Sequence, residues 1–100
     1  MSERIYSKTY TFTPASGAAS FNTQEFRGEC RLIQIKPTAA TTKYTVTITN
    51  DDSVVVYKTA VNGHLVDERV KPLYGIYTVA ISGSTVDEEF TMEIDYVDLQ

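Results

Sequence analysis

Apolar and polar side chains alternate with a period of two along most of this chain, the pattern of strands that cover a core with one face. Within residues 43–50, Tyr44, Val46 and Ile48 fall on one side and Thr45, Thr47 and Thr49 on the other. Within 75–82, Tyr77, Val79 and Ile81 oppose Ile76, Thr78 and Ala80. Within 89–97, Phe90, Met92, Ile94 and Tyr96 oppose Thr91, Glu93 and Asp95. These three segments are the firmest strands.

Four further strands follow less regular patterns. Residues 4–13 place Tyr6, Tyr10 and Phe12 on one face, interrupted by Lys8. Residues 29–36 hold Leu32, Ile33 and Ile35, and Pro37 ends them by removing a backbone donor. Residues 53–59 contain Val54, Val55, Val56 and Tyr57, apolar on both faces and therefore expected in the middle of a sheet. A short strand is expected at 65–70. Turn chemistry separates these runs: Asn50-Asp51-Asp52-Ser53 reads as a hairpin, Asn62-Gly63 as a tight turn and Ser82-Gly83-Ser84 as a connection, while 14–20 reads as a loop. No stretch of ten residues shows helical periodicity.

About seven strands at this spacing predict an all-β, single-domain antiparallel β-sandwich, jelly-roll or immunoglobulin-like. Residues 1–13 form an N-terminal strand or arm and 14–100 the sandwich body, one domain overall. Composition agrees, since Val, Ile, Thr, Tyr and Phe supply 42 of the 100 residues and Leu only four. No run approaches the length of a membrane span, and the first residues lack the apolar core of a secretory signal. One cysteine, Cys30, excludes an internal disulfide and a multi-cysteine zinc site.

Charge adds a polarity. The net charge of −4 divides into +2 over residues 1–71 and −6 over 72–100, where no basic residue stands against Asp87, Glu88, Glu89, Glu93, Asp95 and Asp98. Such a segment repels nucleic acid, whose binding needs clustered Lys and Arg. It reads as a solvated face or as a surface that meets a basic partner.

Candidate chemistry is sparse. His64 is the only histidine and follows Asn62-Gly63, at an exposed turn rather than beside a nucleophile. Cys30 opens an apolar strand and reads as a small buried hydrophobe. Glu93 and Asp95 share a strand face, but without the apolar pocket that raises a catalytic acid's pKa. Asp51-Asp52 and Asp87-Glu88-Glu89 offer hard oxygen ligands without an EF-hand spacing. No cofactor or metal site is assigned, and the chain is expected not to be an enzyme. Aromatics offer another route, since sugar-binding sandwiches present exposed flat rings. Tyr44, Tyr57, Tyr77, Phe90 and Tyr96 are expected in the core, leaving Tyr6, Tyr10, Phe12, Phe21, Phe26 and Tyr74.

The segment 71–83, Lys-Pro-Leu-Tyr-Gly-Ile-Tyr-Thr-Val-Ala-Ile-Ser-Gly, resembles a turn-plus-strand of viral and immunoglobulin-like sandwiches. With its hundred acidic, Thr-rich residues and no catalytic set, the whole chain resembles the small all-β structural proteins of tailed bacteriophages, especially capsid decoration (cement) proteins. The resemblance implies a virion protein on the capsid surface, made in the host cytoplasm. It also implies a homo-oligomer, with a trimer favoured, partnered by the major capsid protein or another virion protein, with no nucleic acid or membrane. The expected interface joins Arg4, Tyr6, Lys8, Tyr10 and Phe12 of the N-terminal segment to Asp87, Glu88, Glu89, Glu93 and Asp95 of a neighbouring copy. The alternative expectation is a carbohydrate-binding or adhesion module of a surface-recognition protein.

Overall fold

The computed structural model describes residues 4–98. Eight strands form: β1 (Ile5–Phe12), β2 (Ala19–Asn22), β3 (Phe26–Pro37), β4 (Lys43–Thr49), β5 (Val55–Asn62), β6 (Leu65–Gly75), β7 (Thr78–Ser82) and β8 (Phe90–Asp98). They build two four-stranded antiparallel sheets, ordered β1-β8-β3-β6 and β2-β7-β4-β5. Only β4 and β5 are consecutive neighbours within a sheet; every other connection crosses to the opposite sheet. Eight strands in this order make a jelly roll, which settles the choice against the immunoglobulin-like order.

The alternating segments became the central strands. Ile33 and Ile35 of β3 and Phe90, Met92 and Ile94 of β8 face Tyr44, Val46 and Ile48 of β4 and Val79 and Ile81 of β7, all buried. Burial alternates strictly along β4 and through most of β8, as one-sided packing requires. Phe90 stacks on Phe12 and meets Tyr44 edge-on, with centroids 5.4 and 5.0 Å apart.

The less regular segments depart from expectation. The eighth strand is β2, whose four residues begin inside the expected loop at 14–20. β5 is an edge strand, not a central one, and Val54, Val55 and Val56 are 54, 54 and 48% exposed. β6 continues past Val70 through Pro72 to Gly75, because an edge strand tolerates a residue without a backbone donor. β3 already starts at Phe26, and a bulge between Cys30 and Leu32 shifts its register against both neighbours.

β1 pairs with β8 of its own chain over its full length, from Ile5 opposite Val97 to Phe12 opposite Phe90. It is therefore a strand of the sandwich and not a free arm; Met1–Glu3 of that segment lie outside the described residues.

Two glycines fix close approaches. A Cβ at Gly28 would stand 1.9 Å from the Val97 carbonyl oxygen, so only glycine lets β3 pass β8 there. Gly63, at φ 82°, makes the turn from β5 into β6 and donates its N–H to the Thr42 carbonyl at 2.7 Å. The expected Asn62-Gly63 turn thus joins strands of different sheets.

Candidate functional site

The residues able to do covalent chemistry are held apart. His64 is exposed at the start of the β6 approach, whereas Cys30 is buried in the core. Burial pushes the Cys30 thiol up to about 11, so it is protonated near neutrality and a poor nucleophile. Among the described residues no three His, Cys, Asp or Glu side chains gather as a metal site.

The acids of the final segment mostly serve their own chain. The Asp87 carboxylate accepts the N–H groups of Ser16 and Gly17 at 3.0 and 2.9 Å, where successive positive-φ residues aim their donors together. Glu88 accepts the Ala39 N–H at 3.2 Å and the Thr42 hydroxyl. Glu89 is exposed, and its carbonyl accepts the Thr38 hydroxyl at 2.8 Å. On the outer face of β8, Asp95 accepts the Ser7 hydroxyl at 2.7 Å and Glu93 stands 3.4 Å from the Gln34 amide. Asp87 and Glu88 are thereby loop anchors within their own chain.

Those N-terminal residues divide by position. Tyr10 and Phe12 pack onto the core against Phe21, with centroids 5.1 and 5.0 Å away, and burial raises the Tyr10 hydroxyl pKa. Tyr6, 41% exposed, stacks on Tyr96, while Arg4 and Lys8 are exposed. Phe26 is buried, and Tyr74 is the other exposed ring, at 61%. Tyr6 and Tyr74 lie on β1 and β6, opposite edges of one sheet.

Open edges are the most prominent feature of the surface. β1 and β5 are each eight residues long, contain no proline, and end different sheets. β1 lies beside β2, as the Tyr10–Phe21 contact shows, and β5 lies beside β6, where the Tyr57 hydroxyl donates to Asp67 at 2.7 Å. β1 and β5 therefore flank opposite sides of the sandwich, β5 beside the longer, proline-containing edge β6. An unpaired strand edge is a template for another strand, and single-chain proteins usually blunt it with proline, bulges or charge. β5 carries one bulge, at Val56 between Val55 and Tyr57, and Lys8 and Lys58 are the only charges within β1 and β5.

Between β5 and β6 the sheets part. A cleft of about 350 Å³ enters there, walled by Phe26, Cys30, Ile33, Ile48, Val79 and Ile94. Val56, Tyr57, Arg69, Lys71 and Pro72 also line it. It exists because β6 turns charged residues towards the interior: Asp67 stands opposite buried Ile33 on β3 and so shares its face. Arg69 lies over the Tyr57 ring, 4.8 Å from its centroid, and 3.5 Å from Asp67. Sequence reasoning missed this cleft. The available signal was Asp67, Arg69 and Lys71 alternating with Val66, Glu68 and Val70, charge on one face and mixed residues on the other.

No family model and no curated protein matches this chain. Solved structures do. One, titled "Bacillus endospore appendages form a novel family of disulfide-linked pili", is similar at 19% identity, covering 97% of this chain and 91% of that one, with TM-score 0.54. The Yersinia pseudotuberculosis-derived mitogen is similar at 13% identity over 96% of this chain and 86% of its own, with TM-score 0.50. These likenesses show the fold: small all-β proteins share it across unrelated sequences.

Proposed function

We propose that this protein is a non-enzymatic structural subunit that assembles with copies of itself, and that its place is the head of a tailed bacteriophage, as a decoration protein. The observation that carries the assembly reading is the pair of eight-residue, proline-free edges, β1 and β5, on opposite sides of one sandwich. An edge at one side of each copy and a different edge at the other make a heterologous contact, which closes into a ring when the rotation allows. Three copies make the ring that the sequence resemblance favours.

The likeness to a pilus protein supports a role in assembly as a general class. The pili of that neighbour are disulfide-linked. In the present chain the one cysteine is buried in the core, so the proposed assembly does not use a disulfide. Capsid attachment has a natural surface in the outer face of β8, where Glu93 and Asp95 lie half-buried side by side and fit a basic partner.

The assembly reading is preferred to a carbohydrate-binding module. Stacking on a sugar needs exposed rings together, and the two exposed tyrosines, Tyr6 and Tyr74, stand on opposite edges of a sheet. The test is co-sedimentation of the full chain with phage heads stripped of their decoration protein, alongside a glycan array. Saturable binding to the heads at a fixed number of copies supports the proposal. Binding to a glycan with none to any head overturns it.

A further inference from the structure

The cleft opens beside the β5 edge, and the proposed edge pairing uses the backbone of that strand and not the interior of the cleft. A protein interior is packed about as tightly as an organic crystal, with few voids larger than a water molecule. A void of about 350 Å³ is far larger, and its inner wall is mostly apolar, with Phe26, Ile33, Ile48 and Ile94; the hydroxyls of Thr23 and Tyr77, which also line it, are bonded to backbone groups. Among the described residues no buried side-chain nitrogen or oxygen lacks a hydrogen bond, so no unpaired polar group calls for water there. The void also has a mouth: Val56, Lys71 and Pro72 line it and are exposed at the surface.

The mouth is charged in one sense. Asp67 and Arg69 stand 3.5 Å apart and offset each other, and Asp67 is further held by the Tyr57 hydroxyl at 2.7 Å. The Arg69 guanidinium is fixed over the Tyr57 ring. Lys71 is then the surplus charge. Of the other acids near β6, Glu29 stands opposite Pro72 but is tied to Arg31 at 2.9 Å, and neither it, Glu68 nor Asp51 lines the cleft.

From this pairing of an apolar interior with a singly positive rim, we infer that the cleft is a binding site for a small amphiphile with one anionic head, such as a medium-chain carboxylate. An apolar cavity of 150 Å³ accepts benzene, so 350 Å³ takes an apolar body of roughly ten to fourteen carbons. The volume lies at the lower end of small-molecule pockets. The tail enters between the sheets towards Ile48 and Ile94, and the head remains at Lys71 and Arg69, where it keeps contact with water.

The test is calorimetric titration of the full chain with decanoate, 1-decanol and decyltrimethylammonium, each below its micelle concentration, with the melting temperature followed in parallel. Decanoate is expected to bind one per chain and raise the melting temperature, as any ligand of the folded state does. The cationic analogue is expected to bind at least tenfold more weakly. Lys71→Glu should weaken decanoate at least tenfold while leaving 1-decanol within twofold, and Val56→Trp should block both by filling the mouth. Both positions are exposed, and circular dichroism checks that the variants fold. The inference is overturned if decanoate shows no saturable binding, if the cationic analogue binds as tightly, or if Val56→Trp binds decanoate like the parent chain.

Discussion

The Tyr57 hydroxyl donates to the Asp67 carboxylate at 2.7 Å and so ties the edge strand of one sheet to the edge strand of the other. This bond spans the side of the sandwich where apolar packing is interrupted by the cleft. Tyr57→Phe keeps the ring beneath Arg69 but removes a donor from a charged acceptor, so it is expected to cost about 1–2 kcal/mol. Urea denaturation measures it, and an unchanged midpoint would mean that water replaces the hydroxyl at no cost.

The close approach of β3 and β8 makes a sharper prediction. Gly28→Ala places a Cβ 1.9 Å from the Val97 carbonyl oxygen, so the backbones must separate. A loss above about 3 kcal/mol is expected, because strain is imposed on two central strands. Gly83 has positive φ but no atom within 4 Å of its Cβ position, so Gly83→Ala is expected to cost only about 1–2 kcal/mol.

Alkaline pH should weaken the fold in a defined window. Burial pushes the Cys30 thiol from 9.0 up to about 11. Burial pushes the Tyr44 and Tyr57 hydroxyls from 10.0 up to about 12, with the bond to Asp67 adding to the rise at Tyr57. Between the ordinary and the raised values the folded chain holds protons that the unfolded chain has released. Stability therefore falls as pH rises, starting near pH 9 and continuing through the folded-state values. Urea midpoints from pH 8 to 10.5 check this. Cys30→Ala should flatten the first part of the decline and leave the tyrosine part.

Edge pairing can be blocked without touching the core. Val55 is 54% exposed on β5, and a lysine there adds charge to the edge. Val55→Lys is expected to change stability by less than about 0.5 kcal/mol and, on the proposed edge assembly, to leave single chains, read by sedimentation velocity.

The core could be read from the sequence because its strands are covered on one face only. Tyr44, Val46 and Ile48, and Phe90, Met92 and Ile94, recur at every second position and are buried as that spacing implies. The edges could not be read in the same way. Val54, Val55 and Val56 suggest a central strand by hydrophobicity alone, yet β5 has a neighbour on one side only. β2 is too short, at four residues, to display a period. β6 was expected over 65–70, and only its continuation to Gly75 hid behind Pro72, which an edge strand tolerates. The cleft depends on β5 and β6 meeting Phe26 and Ile94, positions far apart in the chain, so no local pattern could announce it. The acidic tail was visible as charge, but its use was not: Asp87 and Glu88 bind backbone N–H groups in loops that only the fold brings near.

The most direct measurement of the central claim is the mass of the full chain in solution by light scattering, compared with that of Val55→Lys. Assembly through the edges predicts a multiple of 11.2 kDa, threefold for a closed ring, falling to 11.2 kDa in the variant. A mass of 11.2 kDa for both proteins across the accessible concentration range would contradict it.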